Sequence, residues 1–338
     1  MAALFMRRKV KIDFCDIGCN HNKVNHFLYW VLTKRFDLEL CDQPDFLVHD
    51  LFGHAHRLYS GVRIMFTGES DTPDYNVSDY SISPRALNDP RHLHLPVYVF
   101  HGPAEKIIKR QDDPERLLAG KTKFCSFVVS SYNPRKNQNR LDFFNLLSRY
   151  KPVDSAGRLR NNIGGRLAHG AKAKMEFLRP YKFNICFENT RKPGYTSEKI
   201  YEAMVARCLP IYWGDPLIAQ QFNPRSFLNR ADFPSDEALV EKIIELDRDA
   251  AKYLEYMRQP YLPNDEPTFY FSQERICDFF ERIVTTPIRP VAQRYRGWIR
   301  PGRWILAKRH HWHPFPNLNP GRLKGYDRSD SLWDAPFA

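Results

Sequence analysis

The sequence predicts an α/β protein of two units, each a parallel sheet flanked by helices, and three observations carry that reading. Strand-like and helix-like segments alternate along residues 9–66 and again along residues 124–213. Residues 124–130 form a nearly continuous apolar run, the kind buried on both faces of a parallel sheet. Hydrophobic residues make up 43% of the 338, enough to bury a core in each unit.

In chain order, residues 9–14 alternate as a first strand, and a polar loop follows through Asn22. Phe27, Leu28, Val31 and Leu32 have helical spacing within residues 24–36. Residues 46–48 and 62–66 are further strands, and the chain then turns at Thr67-Gly68-Glu69-Ser70. Residues 84–123, rich in Pro, His and charge, read as an irregular stretch leading to a boundary. After the strand at 124–130 come a polar loop (131–139), a helix (141–150), a strand (183–187), a helix (197–206) and a strand (209–213). Helices at 237–246 and 271–283 close the series. Ligands in such folds sit beyond the carboxyl ends of strands, in the cleft between units. The loops after residues 66, 130 and 187 are therefore where a site is expected.

Composition narrows the function. No run reaches the eighteen or so apolar residues of a spanning helix, and the basic start lacks the apolar run of a secretory signal. Seven scattered cysteines form no disulfide framework, so a cytoplasmic location is expected. Cys15 and Cys19 have no second Cys/His pair at zinc-finger spacing. Net charge is +12, from 51 basic and 39 acidic residues, which favours anionic partners. Residues 286–338 carry ten Lys/Arg against three Asp, with Trp298, Trp304, Trp312 and Trp333. Such a tail suits the anionic inner face of a membrane, or packing over the C-terminal unit. It contains no recognised nucleic-acid motif, and nucleic acid is not expected as a partner. Asp247-Arg-Asp249 has the form some metal-dependent transferases use but lies in a charged helical stretch, where a solvated face is expected. The histidines at 54/56, 92/94 and 310/311/313 lack accompanying ligands, so no metal is expected.

The chemistry concentrates in residues 181–214. Tyr181-Lys-Phe-Asn-Ile-Cys-Phe-Glu-Asn-Thr190 is followed by Gly194-Tyr-Thr-Ser-Glu-Lys-Ile-Tyr-Glu-Ala203 and Leu209-Pro-Ile-Tyr-Trp-Gly214. Thr196 or Ser197 suits an N-cap, and Glu198 in the first turn suits the helix dipole. Lys199 opposes that dipole by about 0.3–1 kcal/mol. Either Glu198 neutralises it in solvent, or an anion sits there, held by the lysine and the free backbone N–H groups.

Three ordered motifs in this segment, Tyr-Lys-Phe-x-x-x-Phe-Glu-Asn, Tyr-x-x-Glu-Lys and Pro-Ile-Tyr-Trp-Gly, resemble the donor-binding core of the α-1,3/4-fucosyltransferases, glycosyltransferase family 10. The resemblance extends more loosely from about Val62 to Asp232, and the first fifty residues and the tail match less well. It implies a GT-B fold with two Rossmann-like domains. Residues 1–120 would form the acceptor domain, residues 121–285 the GDP-fucose domain, and residues 286–338 a basic aromatic tail. It implies transfer of fucose from GDP-fucose to an oligosaccharide or glycolipid acceptor, such as the N-acetylglucosamine of a Lewis-type glycan, without a metal. Tyr195, Thr196, Ser197, Glu198 and Lys199 match the donor loop, with Lys199 at the diphosphate and Glu198 toward ribose or fucose hydroxyls. Asn189 matches a donor-contacting asparagine, and Ser131 and Asn133 belong to the loop after the first strand of the second series. Arg140, or Arg135 in that longer loop, matches the arginine that grips the diphosphate, and Lys174 is a weaker match. Glu69, in Phe66-Thr-Gly-Glu-Ser70, matches the general base. A transferase for another GDP-sugar is the competing reading.

Overall fold

The computed structural model describes residues 7–17, 23–130, 134–168, 170–286, 288–294 and 332–333, with the backbone alone at 134–136 and 294. Their contacts divide the chain into two units, one of residues 1–95 and 272–329 and one of residues 96–271 and 330–338.

The first unit contains β1 (Arg8–Cys15), α1 (Phe27–Leu32), β2 (Phe36–Leu40), β3 (Phe46–His49), β4 (Val62–Phe66), β5 (Tyr80–Ser83) and β6 (His92–His94). These strands form a parallel sheet in the order β2-β1-β3-β4-β5-β6. Strand order reverses between β1 and β3, so the loops after their carboxyl ends open at a topological switch point. Helical spacing at 24–36 yields only the six residues of α1, because Phe36 begins a strand. The short strands β5 and β6 carry too few residues for a period-2 pattern and escape the sequence reading.

The second unit begins with α2 (Tyr98–His101) and α3 (Pro114–Ala119). It continues with β7 (Lys123–Phe127), α4 (Pro134–Leu147), β8 (Val153–Ser155), α5 (Ala171–Leu178), β9 (Tyr181–Phe187), α6 (Glu198–Val205), β10 (Leu209–Trp213), β11 (Leu228–Asn229), α7 (Asp236–Arg248) and α8 (Ala250–Arg258). Its sheet is also parallel, in the order β11-β10-β9-β7-β8, with a switch point between β7 and β9. Phe127, Phe143, Phe183, Ile185, Ile211, Leu239 and Ile243 build one continuous core of strands and flanking helices.

Two findings change the expected division at residues 120 and 285. Residues 96–119 pack with the second unit: Tyr98 lies 5.0 Å from Phe222 and 6.4 Å from Tyr201, ring to ring. The helix α9 (Glu274–Thr285) returns to the first unit, where Phe280 packs 5.3 Å from Phe36 and 5.9 Å from Phe46. Its apolar stripe (Ile276, Cys277, Phe279, Phe280, Ile283) shows that it packs against something but not against which sheet. A short helix, α10 (Val291–Arg294), follows it. Helix α4 starts at Pro134, a residue preorganised for a first turn, so residues 134–139 are helical rather than loop. Asp247 is also not solvated: Tyr150 donates to it at 2.9 Å, Lys182 at 3.0 Å, and Lys151 pairs with it. Asp249 instead caps α8, accepting from the Lys252 N–H. Most of the tail lies outside the described residues, and among those described no helix could cross a membrane.

Candidate active site

The second unit assembles a cation-rich site at the carboxyl end of β9. The strand's inward residues bury it on both faces, so the first polar residues after Phe187 emerge at the rim of the sheet. The first of them, Glu188, is fully buried and its carboxylate anchors the start of α6. It accepts from the Ser197 N–H and the Ser197 hydroxyl, both at 2.7 Å, and from the Lys199 ammonium at 3.2 Å. Ser197 is the N-cap, and its hydroxyl oxygen also accepts from Lys199 Nζ at 2.8 Å. Lys199 is thus folded back over the helix start, with Glu198 a further 3.8 Å away. Gly214, at the end of the neighbouring β10, makes room for this carboxylate: a Cβ there would sit 2.4 Å from Glu188 Cγ.

Arg140 reaches the same corner from within α4 and is 1% exposed. Its Nε donates to the Glu188 carbonyl at 3.0 Å and its Nη1 to Asn137 Oδ1 at 2.5 Å. Burial pulls its guanidinium below the ordinary arginine range, while Glu188, Tyr195 and Glu198 act in the opposite direction. Its Nη2 is buried and, among the described residues, has no hydrogen-bond partner. The side-chain Oδ1 of Asn189, one residue beyond Glu188, is buried and unpartnered in the same sense. A donor and an acceptor left unmatched in one corner each cost about 1–3 kcal/mol unless a ligand satisfies them. Chemically, a charged fork with a free N–H beside an ammonium suits bidentate capture of a diphosphate.

The loop that leads into α6 is held from below. Gly194 lies at φ 84°, a backbone conformation glycine adopts freely. Asp215, 2% exposed, accepts from the Gly194 N–H at 2.8 Å, the Thr196 hydroxyl at 3.0 Å, the Leu217 N–H at 2.8 Å and the Gln221 amide at 2.6 Å. Thr196 therefore commits its hydroxyl to the loop, and Tyr195 is buried beside it at 5% exposure. Lys174 pairs with Glu202 on α6. Burial works against its charge, but the Glu202 and Glu198 carboxylates outweigh that and hold its ammonium above the ordinary lysine range. Ser131 and Asn133 lie outside the described residues, as do the side chains of Arg135 and Lys136.

Glu69 belongs to the first unit, in the turn after β4. Its N–H donates to the Thr67 hydroxyl oxygen at 3.2 Å, the Thr67 N–H bonds the Ile82 carbonyl at 3.1 Å, and Arg85 holds the Ser70 carbonyl at 3.1 Å. Around it, at the ends of β1 and β3, lie ionisable residues that pattern reading did not single out. Asp16 accepts from the His56 ring at 2.6 Å, and the rings of His49 and His56 stack 3.9 Å apart. Burial and the neighbouring His56 push the His49 imidazole down to about 3, so it is neutral. Burial opposes the charge of Asp16, but hydrogen bonds from His56 and Ala55 hold its carboxyl below the usual range. Glu188, Asp215, Asp50 and Asp16 each close an apolar strand or follow its end, a signal the sequence does carry. Among the described residues no cluster of three His, Cys, Asp or Glu could hold a metal.

Two parallel-sheet units of GT-B type, with a buried arginine and a lysine gathered after a strand end of the second, give the class of fold and a corner suited to an anionic group. The chain belongs to glycosyltransferase family 10: the family's fucosyltransferase C-terminal model matches residues 118–294, and the FucT N-terminal model matches residues 12–101. It is 31% identical to the alpha-(1,3)-fucosyltransferase FucT of Helicobacter pylori over 307 residues, covering 77% of this chain and 62% of that relative. It is 33% identical over 144 residues to the 3-galactosyl-N-acetylglucosaminide 4-alpha-L-fucosyltransferase FUT3 of Bos taurus, covering 42% of this chain and 37% of that one. The chain thus spans less than two thirds of these relatives. Among solved structures, an alpha1,3-fucosyltransferase with GDP-fucose superposes with a TM-score of 0.70 at 27% identity, over 86% of this chain and 95% of that one. An alpha1,3-fucosyltransferase with GDP superposes with a TM-score of 0.68 at 26% identity, over 86% of this chain and 94% of that one.

Proposed function

We propose that the protein is an inverting α-1,3- (or α-1,4-) fucosyltransferase that moves fucose from GDP-fucose to a hydroxyl of an N-acetylglucosamine-containing glycan. The observation that carries this reading is the Arg140–Glu188–Lys199 corner: Lys199 bonds the buried Glu188 carboxylate, Arg140 bonds the carbonyl of the same residue, and a guanidinium N–H is still to be matched. In the reaction, Glu69 takes the proton of the acceptor hydroxyl as that oxygen bonds to the fucose anomeric carbon. The bond from that carbon to the β-phosphate oxygen breaks, and the electron pair leaves with GDP. Arg140 and Lys199 stabilise the charge that grows on the diphosphate, the larger electrostatic contribution. Glu69 contributes by general base catalysis. Tyr195 and Asn189 line the donor, and Glu198 serves sugar hydroxyls. Ser131 and Asn133 would complete the donor loop, and Lys174 supports it through Glu198 and Glu202.

The donor reading agrees with the solved alpha1,3-fucosyltransferases with GDP and GDP-fucose, and the acceptor reading with the galactosyl-N-acetylglucosaminide in the name of FUT3. Diphosphate charge balanced by two side chains makes transfer independent of a metal. A cytoplasmic enzyme held at the inner membrane face by residues 286–338 would meet lipid-linked saccharides there. The decisive experiment offers GDP-fucose and other GDP-sugars with an acceptor array in excess chelator. Release of GDP from GDP-fucose alone, with fucosylated N-acetyllactosamine as product, is expected. Equal turnover of another GDP-sugar, or loss of activity on chelation, overturns it. Co-sedimentation with anionic liposomes, with and without residues 295–331, tests the tail.

A further inference from the structure

The turn that carries Glu69 is gripped by a side chain the reaction above does not use. Arg85 follows β5, whose Ile82 pairs with Phe66 at the end of β4. Its Nη1 donates to the carbonyl of Ser70, the residue after Glu69, at 3.1 Å. Its main chain is fixed as well: its N–H donates to Ser83 Oγ at 3.4 Å, and its carbonyl oxygen lies 2.6 Å from His92 Nε2. A carbonyl can only accept, so in the neutral ring Nε2 carries the proton and Nδ1 accepts from the Ser81 hydroxyl, 2.8 Å away. Ser81 has then used its one proton, and the Tyr75 hydroxyl donates to Ser81 Oγ at 3.0 Å. Burial pushes the His92 imidazole down to about 4, in keeping with such a neutral ring. Tyr75, Ser81 and His92 thus hold the main chain of Arg85 while its guanidinium holds the turn of Glu69. The Arg85 Nε, by contrast, is buried and has no hydrogen-bond partner among the described residues. A buried N–H is costly to leave unmatched, and an oxygen of a ligand would match it.

We propose that Arg85 is a specificity-determining residue for the acceptor: while Nη1 holds the turn of the base, Nε donates to an oxygen of the sugar ring whose hydroxyl Glu69 deprotonates. This rests on the reading of Glu69 as the base. The attacked hydroxyl comes within hydrogen-bond reach of Glu69. Its ring therefore lies against the turn that Arg85 holds, and the ring's other substituents are the ligand oxygens nearest to Nε. A guanidinium is planar with its N–H groups at fixed angles, so an oxygen on Nε stands at a set offset from the Ser70 carbonyl on Nη1. One side chain thereby gauges the acceptor ring against the base. A hydroxyl or an acetamido oxygen suits this donor. A lysine ammonium could still bond Ser70, but it cannot place two donors at that offset.

The test compares kcat/KM of wild type, Arg85→Lys and Arg85→Gln on N-acetyllactosamine and on analogues that each lack one polar group of its N-acetylglucosamine. In one analogue a hydroxyl replaces the acetamido group; in the others a hydrogen replaces a hydroxyl. GDP-fucose affinity is measured alongside and should not change. On N-acetyllactosamine each variant is expected to lose roughly tenfold to hundredfold. One analogue should cost wild type a similar factor, and the variants should lose little more on it, because the bond is already gone. A purely structural arginine would instead lower the rate by one common factor on every acceptor, and that result overturns the proposal, as does a wild-type rate in Arg85→Lys. If Arg85→Gln does not fold, Arg85→Lys decides alone. Glu69→Gln separates the two readings. If it still transfers fucose, the base assignment has failed and this proposal with it. If it is inactive while the Arg85 variants lose the same factor on every acceptor, only this proposal has failed.

Discussion

The two units handle buried carboxylates in opposite ways. In the second unit, Glu188 is surrounded by donors: two from Ser197 and one from Lys199, with Arg140 on its carbonyl. In the first unit, the Asp50 carboxyl accepts from one N–H, and its neighbours Glu69 and Asp16 carry charge of its own sign. A carboxylate satisfied by an ammonium and two Ser197 donors fixes the helix start, which suits the proposed anionic ligand. A carboxyl crowded by its own kind keeps a proton close to neutral pH, which suits handling protons. The difference suits the donor binding proposed for one rim and the proton transfer proposed for the other.

The sharpest way to break that division is Glu69→Ala. It should lower kcat by roughly 100- to 10,000-fold while GDP-fucose still binds in a calorimetric titration; lost donor binding would move Glu69 out of the proton-handling role. Arg140→Ala and Lys199→Ala should do the reverse, weakening GDP binding by about 2–5 kcal/mol. A titration matching wild type would remove either residue from the diphosphate. For Arg140, the lysine variant should recover little, because an ammonium cannot reproduce the fork. Gly214→Ala pushes a methyl against Glu188 and should cost about 1–3 kcal/mol of stability. If the second rim is rigid, it should also weaken GDP binding, whereas an unchanged affinity would show that Glu188 can shift.

The smallest expected effect is a stability difference in the first unit. The folded protein holds the Asp50 proton up to about 7, whereas the unfolded chain releases it near the ordinary aspartate value of 3.8. Below the lower value both states are protonated and no penalty exists. Between the two values a penalty on the folded state builds, and above about 7 it is fully present. Asp50→Asn removes an ionisable group, so it should melt a few degrees higher than wild type at pH 8. At pH 4 the two should melt alike. A variant less stable than wild type at pH 8 would mean that the carboxylate is paired more favourably than its neighbours suggest.

Much of the second rim was legible in the sequence because it is local. Strand, loop, cap and helix start follow one another from Tyr181 to Lys199; a cap at Thr196 or Ser197 and the awkward Lys199 could be read from spacing alone, and the structure chose Ser197. What Lys199 is paired with was less legible. Glu198 stands next to it in the chain, but the closer partner is Glu188, because the helix start folds the ammonium back over the strand end. Arg140 could be located only as a candidate. Its role as a buried prop of Glu188 depends on α4 beginning at Pro134 and crossing behind β9, a contact between residues 48 apart. The first rim was legible at Glu69 only through its motif.

By itself the sequence determined two parallel α/β units, the strand ends that open onto ligand, and the local chemistry of residues 181–214. These follow from patterns of two, three or four residues, which the backbone geometry of strands and helices converts directly into faces and caps. The tertiary structure alone decided which unit α9 completes and which carboxylate receives Lys199. It alone brought Asp16 to His56, residues 40 apart, and gathered the carboxyls of Asp50, Glu69 and Asp16 near one another. Those pairings arise where parallel strands distant in the chain end side by side. Crossover order sets them, and no local pattern encodes that order.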